Sequence, residues 1–217
     1  MIHHLKQPMP QVSLSDFLAA VQSGQLVSFP TDTVPALAAL PQASDRIYHL
    51  KQRSQTKPLI LMGANLADLW PYVAGSATDQ ARWTAMAECY WPGALTLVLP
   101  ASDRLPPAMN PANTGTLGLR IPAHPLARYL LERTGPLATT SVNHSGQPPL
   151  DTLTNIAAEF PDLTLLSPIA LTEIYAQLGE PMPPLDQPQG SGQPSTVVAW
   201  QGETWTVLRQ GSVLVEP

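Results

Sequence analysis

The chain contains a single cysteine, Cys89, in 217 residues. That excludes an internal disulfide and any metal site built on several thiolates. Cys89 falls in a helical pattern before Trp91, which predicts a buried, inert thiol. Charge is scarce too: Asp, Glu, Lys and Arg make up 12%, against about 25% in a typical soluble domain. The formal net charge of -5 argues against a surface that binds nucleic acid everywhere, but leaves room for a small basic cleft. No apolar run approaches the ~20 residues needed to span a bilayer, and the first residues lack a basic-then-apolar leader pattern. The expectation is a cytoplasmic protein without a membrane partner. Several chemical signatures are missing as well. There is no GxxxxGK[ST], no GxGxxG, no HExxH and no GxSxG, and the five histidines have no metal-ligand spacing. Hydroxyls, amides and cations remain, without an obvious nucleophile. Such a set suits a reaction in which the protein positions two substrates and stabilises charge, as in phosphoryl or adenylyl transfer.

Proline, by contrast, is abundant at 25 residues. Many prolines sit beside polar clusters, where they stiffen loops. The stretch Leu26 to Leu37, LVSFPTDTVPAL, organises the rest. Leu26, Val27 and Phe29 read as a short buried strand. Pro30 stops it, since proline cannot donate to a sheet ladder. Thr31, Asp32 and Thr33 follow, at the sheet edge where open α/β sheets bind ligands. Taken locally, an ordinary turn is the commoner reading of these three residues.

The order of elements predicts an α/β (α+β) domain, a single unit over 1–217 with a twisted mixed sheet flanked by helices. Helices are expected over Ser13 to Ser23, Ser44 to Lys51, Leu66 to Tyr72, Asp79 to Cys89, His124 to Arg133 and Asp151 to Phe160. Strands are expected over Leu59 to Met62, Ala94 to Leu99, Thr116 to Ile121, Leu137 to Thr140 and Leu163 to Leu166. A hairpin follows over Ser195 to Trp200 and Thr204 to Leu208. Met1 to Gln11 reads as a loose start or an edge strand. Gly179 to Pro194, rich in Pro, Gly and Gln, reads as a mobile loop that closes over the cleft.

Three cations, Lys51, Arg53 and Lys57, fall within seven residues. They are either dipole partners at a helix end or an anion site. Arg120 is the single charge in the strand TLGLRI, so it needs a partner, a ligand or solvent. Ser141-Val142-Asn143-His144-Ser145-Gly146 repeats the logic of a strand followed by a polar loop. Arg53 and Ser141 are expected to face one cleft.

Taken together, PTDTV at Pro30 to Val34, Lys51-x-Arg53, Lys57-Pro58-Leu59, WPGALTLVL at Trp91 to Leu99, LRIPAHPLA at Leu119 to Ala127, Ser141-x-Asn143 with Ser145-Gly146, and Pro194-Ser195-Thr196-Val197-Val198 resemble the YrdC/Sua5 family. They occur in that family's order and cover nearly the whole chain, in the short single-domain form. The resemblance implies threonylcarbamoyl-AMP synthesis from L-threonine, bicarbonate and ATP, with release of pyrophosphate, for the threonylcarbamoyladenosine (t6A) modification of tRNA. It implies ATP as a substrate, Mg2+ accompanying it, and t6A-transfer proteins downstream. By motif, Thr33, Arg120, Thr139 and Ser195 would hold threonine. Arg53, Lys57, Thr116, Ser141 and Arg209 would hold ATP, and Lys51, Arg53, Ser141 and Asn143 would form the catalytic signature. A non-catalytic paralogue binding nucleotide, tRNA or double-stranded RNA is the alternative. A carbamoyl-adenylate former acting on another amine is a third reading.

Two positions depart from the family pattern. Pro35-Ala36 stands where Tyr-Gly is usual, and Gln210-Gly211 where Pro-Gly is usual. A stiffer loop after Thr33 is expected from proline's fixed φ, with strain at Ala36 if that position is left-handed. The consequence expected is a weakened or shifted amino-acid preference with ATP binding intact.

Overall fold

The computed structural model describes residues 11–215. Most of Met1 to Gln11 therefore lies outside the described residues. The chain runs β1 (Gln11–Val12), α1 (Leu14–Gln22), β2 (Val27–Phe29), β3 (Ala36–Ala39), α2 (Asp45–Lys51), β4 (Ile60–Met62), α3 (Leu66–Leu69) and α4 (Ala77–Tyr90). It continues with β5 (Leu95–Pro100), β6 (Thr116–Arg120), α5 (Pro125–Thr134), β7 (Leu137–Ser141), α6 (Leu153–Glu159), β8 (Leu165–Leu166), α7 (Pro168–Leu178), β9 (Thr196–Trp200) and β10 (Trp205–Arg209).

Eight strands form one mixed sheet in the order β10-β9-β5-β6-β4-β7-β3-β2. The pairs β4·β6 and β5·β9 are parallel and the others antiparallel. Both faces of the sheet are packed. Leu37 and Ala39 of β3 enter one cluster, with Ile47, Trp83, Leu97 and Leu119. Ala36 and Ala38 enter the other, with Phe17, Phe29, Leu130 and Ile174. Side chains alternate across a strand, so a sheet covered on both faces is apolar throughout. The run PALAAL (35–40) is such a strand, and its lack of alternation hid it from a pattern search.

The helix ends follow their side chains. The Ser13 hydroxyl accepts from the Asp16 amide, and Ser76 does the same for Asp79 in a full capping box. Helix α7 has no counterpart among the sequence expectations, although its signals are present. Ser167 caps it, Pro168 occupies the first turn, and Gly179 at φ +69° ends it.

Cys89 corrects one expectation: it is exposed. On α4 the buried side chains are Trp83 and Ala87, four residues apart on one face. Two residues further on, Cys89 has rotated to the outer side. Ala36 corrects another. It lies in β3 opposite Phe29 on one side and Ser141 on the other. The non-glycine residues with positive φ among those described are Gln52 and Asn113. Ala36 therefore carries no left-handed strain, and Pro35 opens a strand, a position that tolerates proline.

Candidate active site

A cavity of about 180 Å³ lies across the sheet between the Thr31–Thr33 turn, the Arg53 loop and the Ser195–Arg209 hairpin. Ala36, Ile60, Met62, Arg120, Thr139 and Ser141 line it. Their registers, Ile60 with Thr139, Met62 with Arg120 and Ala36 with Ser141, place them on one face. The floor is thus a sheet face rather than the carboxyl edge alone. Gly118 lies two residues before Arg120 on β6, where an added Cβ would rest 3.4 Å from the Ile60 and Thr96 side chains.

At one end sits Arg120, 4% exposed. Its guanidinium is held on three sides. Nη2 donates to Asp32 Oδ1 at 2.8 Å, Nη1 to Thr33 Oγ1 at 2.7 Å, and Nε to the Gly93 carbonyl at 3.0 Å. Asp32 Oδ1 also accepts from the Ala123 amide at 3.1 Å. Burial lowers the Arg120 pKa, the Asp32 carboxylate opposes that shift, and the Arg209 cation adds to it. The other two of the five guanidinium N–H bonds have no acceptor among the described residues. Thr31 Oγ1 bonds Thr33 Oγ1 at 3.0 Å and donates to the Val34 carbonyl at 2.7 Å, which closes the turn on itself.

At the other end, Lys51 is 2% exposed at the end of α2. Its Nζ donates to the Ser141 carbonyl and, at 2.7 Å, to Asn143 Oδ1. The same Oδ1 accepts from Ser141 Oγ at 2.6 Å. Asn143 Nδ2 donates to the carbonyls of His144 and Gln147. Lys51, Ser141 and Asn143 are therefore one network that fixes the loop after β7. Burial, and then the neighbouring Arg53 charge, lower the Lys51 pKa to about 7. Burial also lowers that of Arg53. Arg53 donates from Nε to the Lys57 carbonyl and from Nη2 to the Pro58 carbonyl.

The third wall is Ser195, whose hydroxyl bonds Thr96 Oγ1 at 2.8 Å. Arg209 donates to the Ser195 carbonyl from Nε at 3.1 Å and Nη2 at 2.8 Å. Gly211 backs this wall: a Cβ there would come within 2.6 Å of the Ser195 carbonyl carbon. This glycine remains although Gln210 replaces the family's proline.

The structure brings Thr33, Arg53, Arg120, Thr139, Ser141, Ser195 and Arg209 to one cavity. Arg53 and Ser141, 88 positions apart (141 − 53), face the same space, as the sequence predicts. Lys51 and Asn143 stand behind Ser141 and outside the cavity lining. Lys57 is exposed on its loop. Thr116 lies four residues before Arg120 on the same face of β6, about 13 Å away at the rise of a strand. Asp32, which the sequence places in the polar cluster without a role, and Thr96, which it does not mark, both hold the site. Their signal was adjacency alone, Asp32 within the polar turn and Thr96 within an apolar strand.

Three guanidinium groups line this cavity and one carboxylate pairs with the innermost of them, in a chain of net charge -5. The fold and the cleft define an α/β domain built around an arginine-lined pocket. The Sua5/YciO/YrdC family model, described as telomere recombination, matches residues 19–167. The chain belongs to this family. A threonylcarbamoyl-AMP synthase from Yersinia enterocolitica is 37% identical over 155 residues, covering 69% of this chain and 80% of that protein. Another from Photobacterium profundum is 29% identical over 203 residues, covering 92% and 99%. Among solved structures, P. abyssi Sua5 complexed with L-threonine superposes with a TM-score of 0.74 at 28% identity, over 90% of this chain. This chain covers 53% of that protein, little more than half its length.

Proposed function

We propose that this protein is an L-threonylcarbamoyladenylate synthase, using L-threonine, bicarbonate and ATP. The observation that carries the reading is the cluster of Arg53, Arg120 and Arg209 around one cavity whose remaining polar walls are hydroxyls. That wall suits two anionic substrates, and no His, Asp or Glu lines it to activate a hydroxyl as a nucleophile. The chemistry needs none. The threonine amine and bicarbonate give a carbamate with loss of water. Its new carboxylate attacks the α-phosphorus of ATP, the bond to the β-phosphate oxygen breaks, and pyrophosphate leaves. The protein's part is to hold two anions together and offset their charge.

Arg120 would take the threonine carboxylate on its two free N–H bonds, beside Thr33, Thr139 and Ser195. Arg53, Ser141 and Arg209 would hold the phosphates. Thr116, further along β6, and Lys57, on the Arg53 loop, would meet the distal parts of ATP. Lys51 and Asn143 would act by fixing Ser141. Mg2+ would arrive with the ATP phosphates as part of that substrate. The product would serve t6A formation on tRNA through cytoplasmic transfer proteins. Pyrophosphate release tests the reading: it should need ATP, threonine and bicarbonate together. Release that ignores threonine would overturn it.

Pro35 and Ala36 both line the cavity, so the departure from Tyr-Gly acts on the pocket wall. Because Ala36 is an unstrained strand residue, the aromatic ring is the part that matters. Pro35→Tyr with Ala36→Gly is expected to raise threonine-dependent pyrophosphate release, and Pro35→Tyr alone should supply most of the gain. A folded, ATP-binding double variant no more active than the parent would show that this position does not limit the enzyme.

A further inference from the structure

Before Ser195 the chain crosses the outside of the polar turn. The Ser191 amide donates to the Asp32 carbonyl at 3.1 Å, and the Gly192 amide to the Thr33 carbonyl at 2.8 Å. Gly190, at φ +84°, lies flush on the same turn. A Cβ on it would fall 2.6 Å from the Thr33 carbonyl oxygen and closer still to that of Thr31. Gln189 is 2% exposed. Its amide donates to the Asp151 carbonyl at 2.7 Å, and its side-chain Nε2 to the carbonyls of Pro184 and Gln187 at 3.0 Å each. Two residues beyond Gly192, Pro194 and Ser195 become cavity wall.

The strap therefore touches the backbone of residues whose side chains hold Arg120, while its own side chains stay outside the cavity. Thr33 Oγ1 and Asp32 Oδ1 supply two of the three bonds on that guanidinium. Moving the turn moves both. We propose that the strap Gln189–Gly192 is the positioning element of the amino-acid half of the site. It sets amino-acid affinity through the Thr31–Thr33 turn without touching the ligand. This inference rests on the synthase reading for its ligand. The phosphate half would rest on Arg53, Ser141 and Arg209, with Lys51 and Asn143 behind Ser141; the strap hydrogen-bonds to none of them, and Arg209 reaches the chain only at Ser195, so the two affinities should separate.

Gly190→Ala tests it by forcing the strap off the turn. A misplacement of about 1 Å can cost roughly a hundredfold where orientation matters, so threonine affinity should fall about ten- to a hundredfold. ATP affinity should stay within about twofold of the parent, since backbone displacement dies away outside contacting groups. Gln189→Ala loosens the strap without a clash and should move threonine affinity the same way by a smaller factor. Gly202→Ala is the matched control. It meets nothing within 4 Å at φ +81°, so it carries the backbone strain alone and should leave both affinities unchanged. The readout is calorimetric titration of the full chain with threonine and, separately, ATP, with thermal midpoints recorded. A parent that binds ATP but no threonine would overturn the substrate reading and this inference with it. A parent that binds both, with unaltered threonine affinity in folded Gly190→Ala or Gln189→Ala, would overturn the strap's role alone. So would equal loss of both ligands. Should Gly190→Ala fail to fold, Gln189→Ala decides.

Discussion

Arg120→Ala is expected to weaken threonine binding about ten- to a hundredfold, because a charge-assisted contact to a carboxylate is worth roughly 1.5–3 kcal/mol. ATP binding should change less, since Arg53 and Ser141 lie at the other end of the cavity and Arg209, whose charge Arg120 feels, keeps its own bonds to Ser195. The substitution also strands Asp32, whose side chain is 18% exposed. Breaking a buried ion pair costs about 3–5 kcal/mol, and the partial exposure places this one near the lower bound. Arg120→Lys separates the two effects. It keeps a cation near Asp32 and so should recover much of the stability. It loses the planar fork, so threonine affinity should stay low. Calorimetry combined with chemical denaturation reads both quantities. Unchanged threonine affinity in a folded Arg120→Ala variant would reject the assignment, and equal loss of both ligands would point to unfolding instead.

Lys51 gives the second large effect, through its proton. Its pKa is lowered from 10.5 to about 7, first by burial and then by Arg53. A neutral amine has two N–H bonds, and both are spent on Ser141 and Asn143. Phosphate charge brought to Ser141 and Arg53 favours the ammonium form. At pH 8 the free group is about 90% neutral at a pKa one unit lower, so ATP binding should take up close to one proton. Titrations in two buffers of different ionisation enthalpy measure this directly. Lys51→Met removes the uptake and unties the loop after β7, and ATP-dependent turnover should drop about a hundredfold from two lost hydrogen bonds. The stability consequence has a definite sign. Between pH 7 and 10.5 the unfolded chain holds this proton and the folded chain does not. Stability from this group therefore rises as pH increases through that window, and Lys51→Met should flatten the rise. No proton uptake by the parent at pH 8 would contradict this account of Lys51.

The sequence carried most of the fold because local signals agreed with the final packing. Ser13 with Asp16 and the Gly24 stop placed α1 to within a residue at each end. The lone charge of TLGLRI correctly demanded a partner, found in Asp32. What escaped detection was structure without contrast. The run PALAAL contains β3, second from one edge of the sheet, and shows no alternation, since both its faces are buried. Cys89 was misplaced because apolar composition near a helix end does not tell which way one residue points. The site was legible as a set of residues but not as a hierarchy. Spacing cannot distinguish Ser141, which lines the cavity, from Asn143, whose amide is fully engaged in holding the loop. Nor can it show that residues 189–192 lie across the turn at residues 31–33, since 158 positions separate Thr33 from Ser191 (191 − 33).

The most direct measurement follows one carbon atom. The protein is incubated with ATP, L-threonine and isotopically labelled bicarbonate, and the adenylate product is analysed by mass spectrometry. The account predicts threonylcarbamoyl-adenylate that carries the label in its carbamoyl carbon, formed in step with pyrophosphate and absent when threonine is omitted. An adenylate without the label, or pyrophosphate formed without any threonine-containing adenylate, would contradict it.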